Sequence, residues 1–180
     1  MATISISDNI TADSGSQVMV PVMMDDTSSI QSVDITLQYD PNIITALGVQ
    51  KGSLLSELDD DFENNNDWTI RSNNENPGEI IISAFSATPL DIGSAGELFI
   101  IVFDAIAEGN SILDLTEGSV GIGGQDVSQT LDDGEITVGD TMDNEDPIVT
   151  PGQTFEYAEN QAENFVIGTV EATDNVGVIG

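Results

Sequence analysis

From residue 32 to residue 39 every second side chain is apolar: Val33, Ile35, Leu37 and Tyr39 alternate with Ser32, Asp34, Thr36 and Gln38. A period of two belongs to a pleated strand, whose side chains point by turns to opposite faces. A helix would need apolar residues three and four apart. The alternation recurs at Ile4 and Ile6 beside serines, and at Val18, Val20 and Val22 around Pro21. Further strand-like runs cover residues 43–49, 68–71, 80–85, 98–103, 112–115, 120–122 and 135–138. Between them lie turn-forming clusters such as Thr11-Ala12-Asp13-Ser14-Gly15, Asp40-Pro41-Asn42 and Asn76-Pro77-Gly78. Pro21 cannot donate to a ladder, which marks an edge position or a bulge. The expected architecture is all-β: about nine strands in a two-sheet sandwich, with one helical turn at 53–58 and no long helix.

Charge narrows the function classes. Lys51 and Arg71 stand against 33 carboxylates, for a formal net charge of −31. Such a surface repels a phosphate backbone or an anionic membrane, so no nucleic-acid partner is expected. With two cations available, nearly every carboxylate must face water or a metal ion. Both a saline medium and dedicated calcium sites fit that composition. There are no cysteines and no histidines, which excludes disulfides and removes the usual general bases, thiol nucleophiles and transition-metal ligands. No enzyme is expected. No apolar run approaches the about 18 residues of a membrane span, so no membrane insertion is expected.

The chain of 180 residues can hold one full domain and part of a second. Residues 1–139 read as the sandwich, 140–147 as an acidic linker, and 148–180 as the opening of a second repeat with strands at 154–157 and 165–172. Both ends read as cuts in a longer chain.

Five stretches, in order, carry a resemblance. They are Gly15-Ser16-Gln17-Val18-Met19-Val20-Pro21-Val22, Asp34-Ile35-Thr36-Leu37-Gln38-Tyr39-Asp40-Pro41-Asn42-Ile43-Ile44, Gly78-Glu79-Ile80-Ile81-Ile82-Ser83, Gly96-Glu97-Leu98-Phe99-Ile100-Ile101-Val102-Phe103 and Asp133-Gly134-Glu135-Ile136-Thr137-Val138. Together they resemble the cohesin family, receptors for dockerin modules. The resemblance implies a nine-stranded jelly-roll β-sandwich on a secreted or cell-surface scaffold, docking a dockerin-type partner through one sheet face. Asp34 matches the family's acidic residue that accepts hydrogen bonds from dockerin hydroxyls. Ser32 matches a neighbouring contact position, Thr36 shares their outward face, Thr69 and Arg71 fall on the adjacent strand, and Val127 on a rim loop. On 80–85 the reading points Ile81, Ser83 and Phe85 inward, and puts Ile82 and Ala84 with Ile80 on the docking face as an apolar patch. Ala87-Thr88-Pro89 replaces an acidic stretch of some relatives, which leaves the class of dockerin open.

The tail resembles a bacterial cadherin-like repeat, through Asp143-Asn144-Glu145-Asp146-Pro147, Tyr157-Ala158-Glu159-Asn160 and Ile167-Gly168-Thr169-Val170-Glu171-Ala172-Thr173-Asp174. That resemblance implies neighbouring repeats and calcium held by Glu159, Asp174, Asp143 and Asp146. Val176 replaces a further aspartate usual in the family. Asp59, Asp61 and Glu63 alternate like a calcium loop but lack its turn glycine and closing glutamate. Two other functions share this architecture: a carbohydrate-binding module, for which Trp68 is the one good ring, and a calcium-stiffened adhesin spacer.

Overall fold

The computed structural model describes residues 2–27, 29–56, 68–90, 95–139, 147–156, 159–160 and 162–173. In chain order the elements are β1 (Ala2–Ser5), β2 (Ile10–Asp13), β3 (Gln17–Met24), β4 (Ser32–Gln38) and β5 (Ile44–Lys51), then the single turn α1 (Ser53–Ser56). They continue with β6 (Thr69–Asn73), β7 (Glu79–Phe85), β8 (Gly96–Ala105), β9 (Gly109–Ile122), β10 (Gln125–Val127), β11 (Gln129–Asp132) and β12 (Gly134–Gly139). Last come the short β13 (Ile148–Val149) and β14 (Ala172–Thr173). The chain divides into two compact units, Met1–Gly139 and Asp140–Gly180.

The first unit is an all-β sandwich of the jelly-roll type. One sheet runs β11-β1-β3-β8-β5; the other runs β2-β12-β9-β4-β7-β6, with β10 also on β9. β-branched, leucine and aromatic residues at alternate positions fill the space between the sheets, where Val20, Val22, Val33, Ile35, Leu37, Phe99, Ile101 and Phe103 are buried. Tyr39 packs its ring edge-on against Phe103 at 5.2 Å, and its hydroxyl accepts the Ala46 N–H at 3.3 Å. A buried phenol thus keeps a polar partner.

The turn chemistry read from the sequence is in place. Asp40 Oδ1 accepts the Asn42 amide at 2.9 Å, and Gly78 adopts a φ of 83° that other residues rarely tolerate. At Pro21 the strand has a ladder partner on one side only: β8 pairs there, whereas β1 reaches β3 only at Met23 and Met24. A register shift between Val22 and Met23 completes the irregularity.

Three departures from the sequence reading stand out. Residues 10–13, expected to open a turn, form β2, which runs parallel to β12. The runs 112–115 and 120–122 are one strand, β9, whose register against β4 slips between Thr36 and Leu37. In the second unit the expected strands at 154–157 and 165–172 are not formed over their described residues except at Ala172; the ladder there is β13 with β14. Gln153 takes a strand's place: its Nε2 donates to Thr150 and Glu171 carbonyls at 2.8 and 2.7 Å, and its Oε1 accepts the Glu171 amide at 2.6 Å. The Thr150 N–H also donates to the Glu171 carbonyl at 2.9 Å, so backbone and side chain together extend the pairing.

Candidate partner-binding face

Register fixes which side chains share a face, because residues directly opposite across a ladder point the same way. Four strands, β9, β4, β7 and β6, lie side by side. Across them Arg71 stands opposite Ser83, Ser83 opposite Asp34, and Asp34 opposite Ser119. The row on one side is Thr69, Phe85, Ser32 and Gly121. On the other it is Asn73, Ile81, Thr36 and Glu117. Asp34, Arg71, Thr69 and Glu117 are exposed; Ser32, Thr36, Ser83 and Ser119 are half-buried. These three rows are the outer face of the sheet.

The structure therefore brings Ser32, Asp34, Thr36, Thr69 and Arg71 together. It does not bring Ile82 and Ala84 to them. Ile82 is 0% and Ala84 1% exposed, in the core, and they stand opposite the buried Ile35 and Val33. The parity expected on residues 80–85 is reversed. Its apolar residues on the outer face are Ile81, 40% exposed, and Phe85, 47% exposed, with Ser83 between them. The signal that finds them is the polar Ser83, whose hydroxyl would need a partner inside an apolar core.

Val127 is corrected too. It lies opposite the buried Val120 and packs against the core, so its side chain points away from the outer face. Its neighbour Asp126 pairs with Gly121, and Ser119 Oγ donates to Asp126 Oδ1 at 3.0 Å. At the end of the face Gln31 ties the rim together. Its Nε2 donates to the Ala87 carbonyl at 3.0 Å and its Oε1 accepts the Gly123 amide at 2.9 Å. Gly121 leaves room for Ser32, whose Oγ occupies the space a Cβ there would take.

Trp68 is 2% exposed and so offers no ring to a sugar, which removes the residue on which the carbohydrate reading relied. Of the expected calcium ligands, Glu159 is exposed, while Asp143, Asp146 and Asp174 lie outside the described residues. So does the acidic run at 59–63. Among the described residues no group of three or more acidic side chains is placed to hold a metal ion. No helix among them is long and apolar enough to cross a membrane.

The family profile described as the cohesin domain matches residues 2–138. The chain belongs to the cohesin family. Its fold aligns with a non-cellulosomal cohesin from the hyperthermophilic archaeon Archaeoglobus fulgidus at a TM-score of 0.62 and 21% identity, over 77% of this chain and 91% of that one. It aligns as well with the sixth cohesin of Acetivibrio cellulolyticus scaffoldin B, solved in complex with a mutant Cel5 dockerin. There the TM-score is 0.62 and the identity 19%, over 77% of this chain and 99% of the other. A third match is the Coh-OlpA module of a type I cohesin–dockerin complex from Clostridium thermocellum, at a TM-score of 0.62 and 18% identity over 76% and 98% of the two chains. At these identities the likeness establishes the fold of this cohesin. No curated protein matches the sequence.

Proposed function

We propose that this cohesin is a non-catalytic protein-binding module of a secreted or cell-surface scaffold, docking a dockerin-type partner through the outer face of β9, β4, β7 and β6. The observation that carries the reading is the row Arg71, Ser83, Asp34 and Ser119, flanked by exposed Ile81 and Phe85. Apolar anchors around hydrogen-bonding groups are how protein interfaces concentrate their affinity. Burying one such side chain is worth about 1.5–3 kcal/mol, and Asp34 can accept from hydroxyl or cationic donors. Membership of the cohesin family, and relatives solved with dockerins bound, support a dockerin-type partner.

Calcium belongs to the proposal for residues 140–180, where Glu159, Asp143, Asp146 and Asp174 supply the oxygen donors such an ion needs, beside neighbouring cadherin-like repeats.

The docking reading is tested by calorimetric titration of purified type I and type II dockerins into wild type and Asp34→Ala. A dockerin that binds wild type and loses affinity for the variant supports it. No binding by any of them, or equal binding by both proteins, counts against it.

A further inference from the structure

Gln31 immediately precedes β4, at the end of the sheet where the outer face closes with the row Thr69, Phe85, Ser32 and Gly121. Four polar groups of this one residue are bonded, two toward each neighbouring connection. Toward the β9–β10 turn, its backbone N–H donates to the Gly121 carbonyl at 2.8 Å and its Oε1 accepts the Gly123 amide at 2.9 Å. Toward the segment after β7, its carbonyl accepts the Ser86 amide at 2.9 Å and its Nε2 donates to the Ala87 carbonyl at 3.0 Å.

Both connections gain from such a tie. Gln125 stands opposite Ile122, so Gly123 and Gly124 make a two-residue turn, with φ of 58° and 78°. Glycine loses more conformational freedom on ordering than any other residue. Ala87, Thr88 and Pro89 lie outside any strand, and Ala87 is exposed. A loop that a partner has to order on binding lowers affinity, whereas a loop already ordered does not.

The tie also demands one kind of side chain. A peptide N–H on one side needs an acceptor, and a peptide carbonyl on the other needs a donor. The group between them must offer one of each. A primary amide does so; a carboxylate offers only acceptors, and an ammonium only donors.

We infer that Gln31 is a positioning residue of recognition: it sets the Gly123–Gly124 turn and the Ala87–Pro89 segment as one preformed rim at that end of the docking face, and the partner's affinity depends on that rim. The inference rests on the docking reading above and goes beyond it, because Gln31 acts through two loops on opposite sides of β4.

The test compares Gln31→Glu and Gln31→Ala with wild type. At pH 7 the glutamate faces the Ala87 carbonyl as a carboxylate and has no proton to donate. Around its ordinary value of about 4.3 and below, it takes one up and again offers one donor and one acceptor. The Ala87 carbonyl-carbon and Gly123 amide-proton resonances should leave their wild-type positions in both variants at pH 7. On acidification they should return, relative to wild type at the same pH, in Gln31→Glu alone. For a dockerin that binds wild type, both variants should lose about five-fold or more in affinity at pH 7 and 25 °C, with thermal melts confirming that all three proteins are folded there. A role confined to stability would lower the melting temperature and leave that affinity unchanged. Equal affinity in the three proteins, or a loss in only one variant, overturns the inference and leaves the docking reading standing. Resonances that stay in place at pH 7, or that fail to return in Gln31→Glu, overturn it as well. If no dockerin binds wild type, the docking reading itself fails and takes the role of Gln31 with it.

Discussion

Asp34 on β4 and Ser83 on β7 are direct cross-strand partners, so the exposed carboxylate carries the serine to the outer face with it. That pairing decides the parity of all of β7: Ile80, Ile82 and Ala84 go into the core, and Ile81 and Phe85 go out. The proposed docking face keeps its apolar component, supplied by different residues from those the isolated sequence suggests.

The same parity makes a stability prediction. Ile82→Ala should cost about 2–5 kcal/mol, because it leaves a cavity between packed sheets. Ile81→Ala, on the exposed side, should stay within about 0.5 kcal/mol of wild type. Urea unfolding of both variants checks this, and a large loss in Ile81→Ala with none in Ile82→Ala would reverse the assignment.

Phe85→Ala should leave the melting temperature nearly unchanged and weaken dockerin binding by about ten-fold or more, as loss of an interface anchor does. Calorimetry and a thermal melt on the same preparation separate the two effects. A folded variant that binds as tightly as wild type would remove Phe85 from the interface.

Asp25 ties the first strand to the end of β3. The Thr3 backbone N–H donates to its Oδ1 at 2.6 Å, and this bond, with help from the Thr3 hydroxyl, holds the carboxyl below its ordinary value of 3.8. A carboxyl depressed on folding adds stability above its unfolded value and loses it as pH falls through the folded one. Asp25→Ala should therefore lower the urea midpoint at neutral pH, with the deficit shrinking as the pH drops below about 4. A deficit that grows on acidification would contradict this.

A net charge of −31 should make stability rise with ionic strength, since screening at about 0.15 M already shortens repulsion to about 8 Å. Melting temperatures in NaCl, MgCl₂ and CaCl₂ at matched ionic strength distinguish screening from site binding. A rise specific to calcium and abolished by EDTA supports the ligand set proposed around Glu159; equal shifts with all three salts speak against it.

Much of this fold is legible in the sequence. Clean alternation at Val33, Ile35 and Leu37 put β4 in the right orientation, and with it Ser32, Asp34 and Thr36 on one outer face. In β7 the consecutive Ile80, Ile81 and Ile82 let either parity bury isoleucine, so the choice falls to the polar Ser83 and to its register with Asp34. The apolar pattern of β9 is interrupted at Thr116, Glu117 and Gly118, which suggests two strands; the chain absorbs Thr116 in a bulge, keeps Glu117 and Gly118 paired with β4, and continues. The tie at Gln31 reaches partners 56 and 92 residues away, a tertiary relation without any local sequence signature. In residues 165–170 local strand preference is strong, yet Phe165, Val166, Ile167 and Val170 stay exposed. Propensity without a partner surface does not make a ladder.

The most direct measurement follows methyl resonances while a binding dockerin is titrated in. The Ile81 methyls lie on the outer face of the β9-β4-β7-β6 sheet; Met19 and Met23 are exposed on β3, in the opposite sheet. Docking as proposed shifts Ile81 and leaves the two methionine methyls unmoved. Movement of Met19 and Met23 with Ile81 silent would place the partner on the opposite sheet and refute the assigned face.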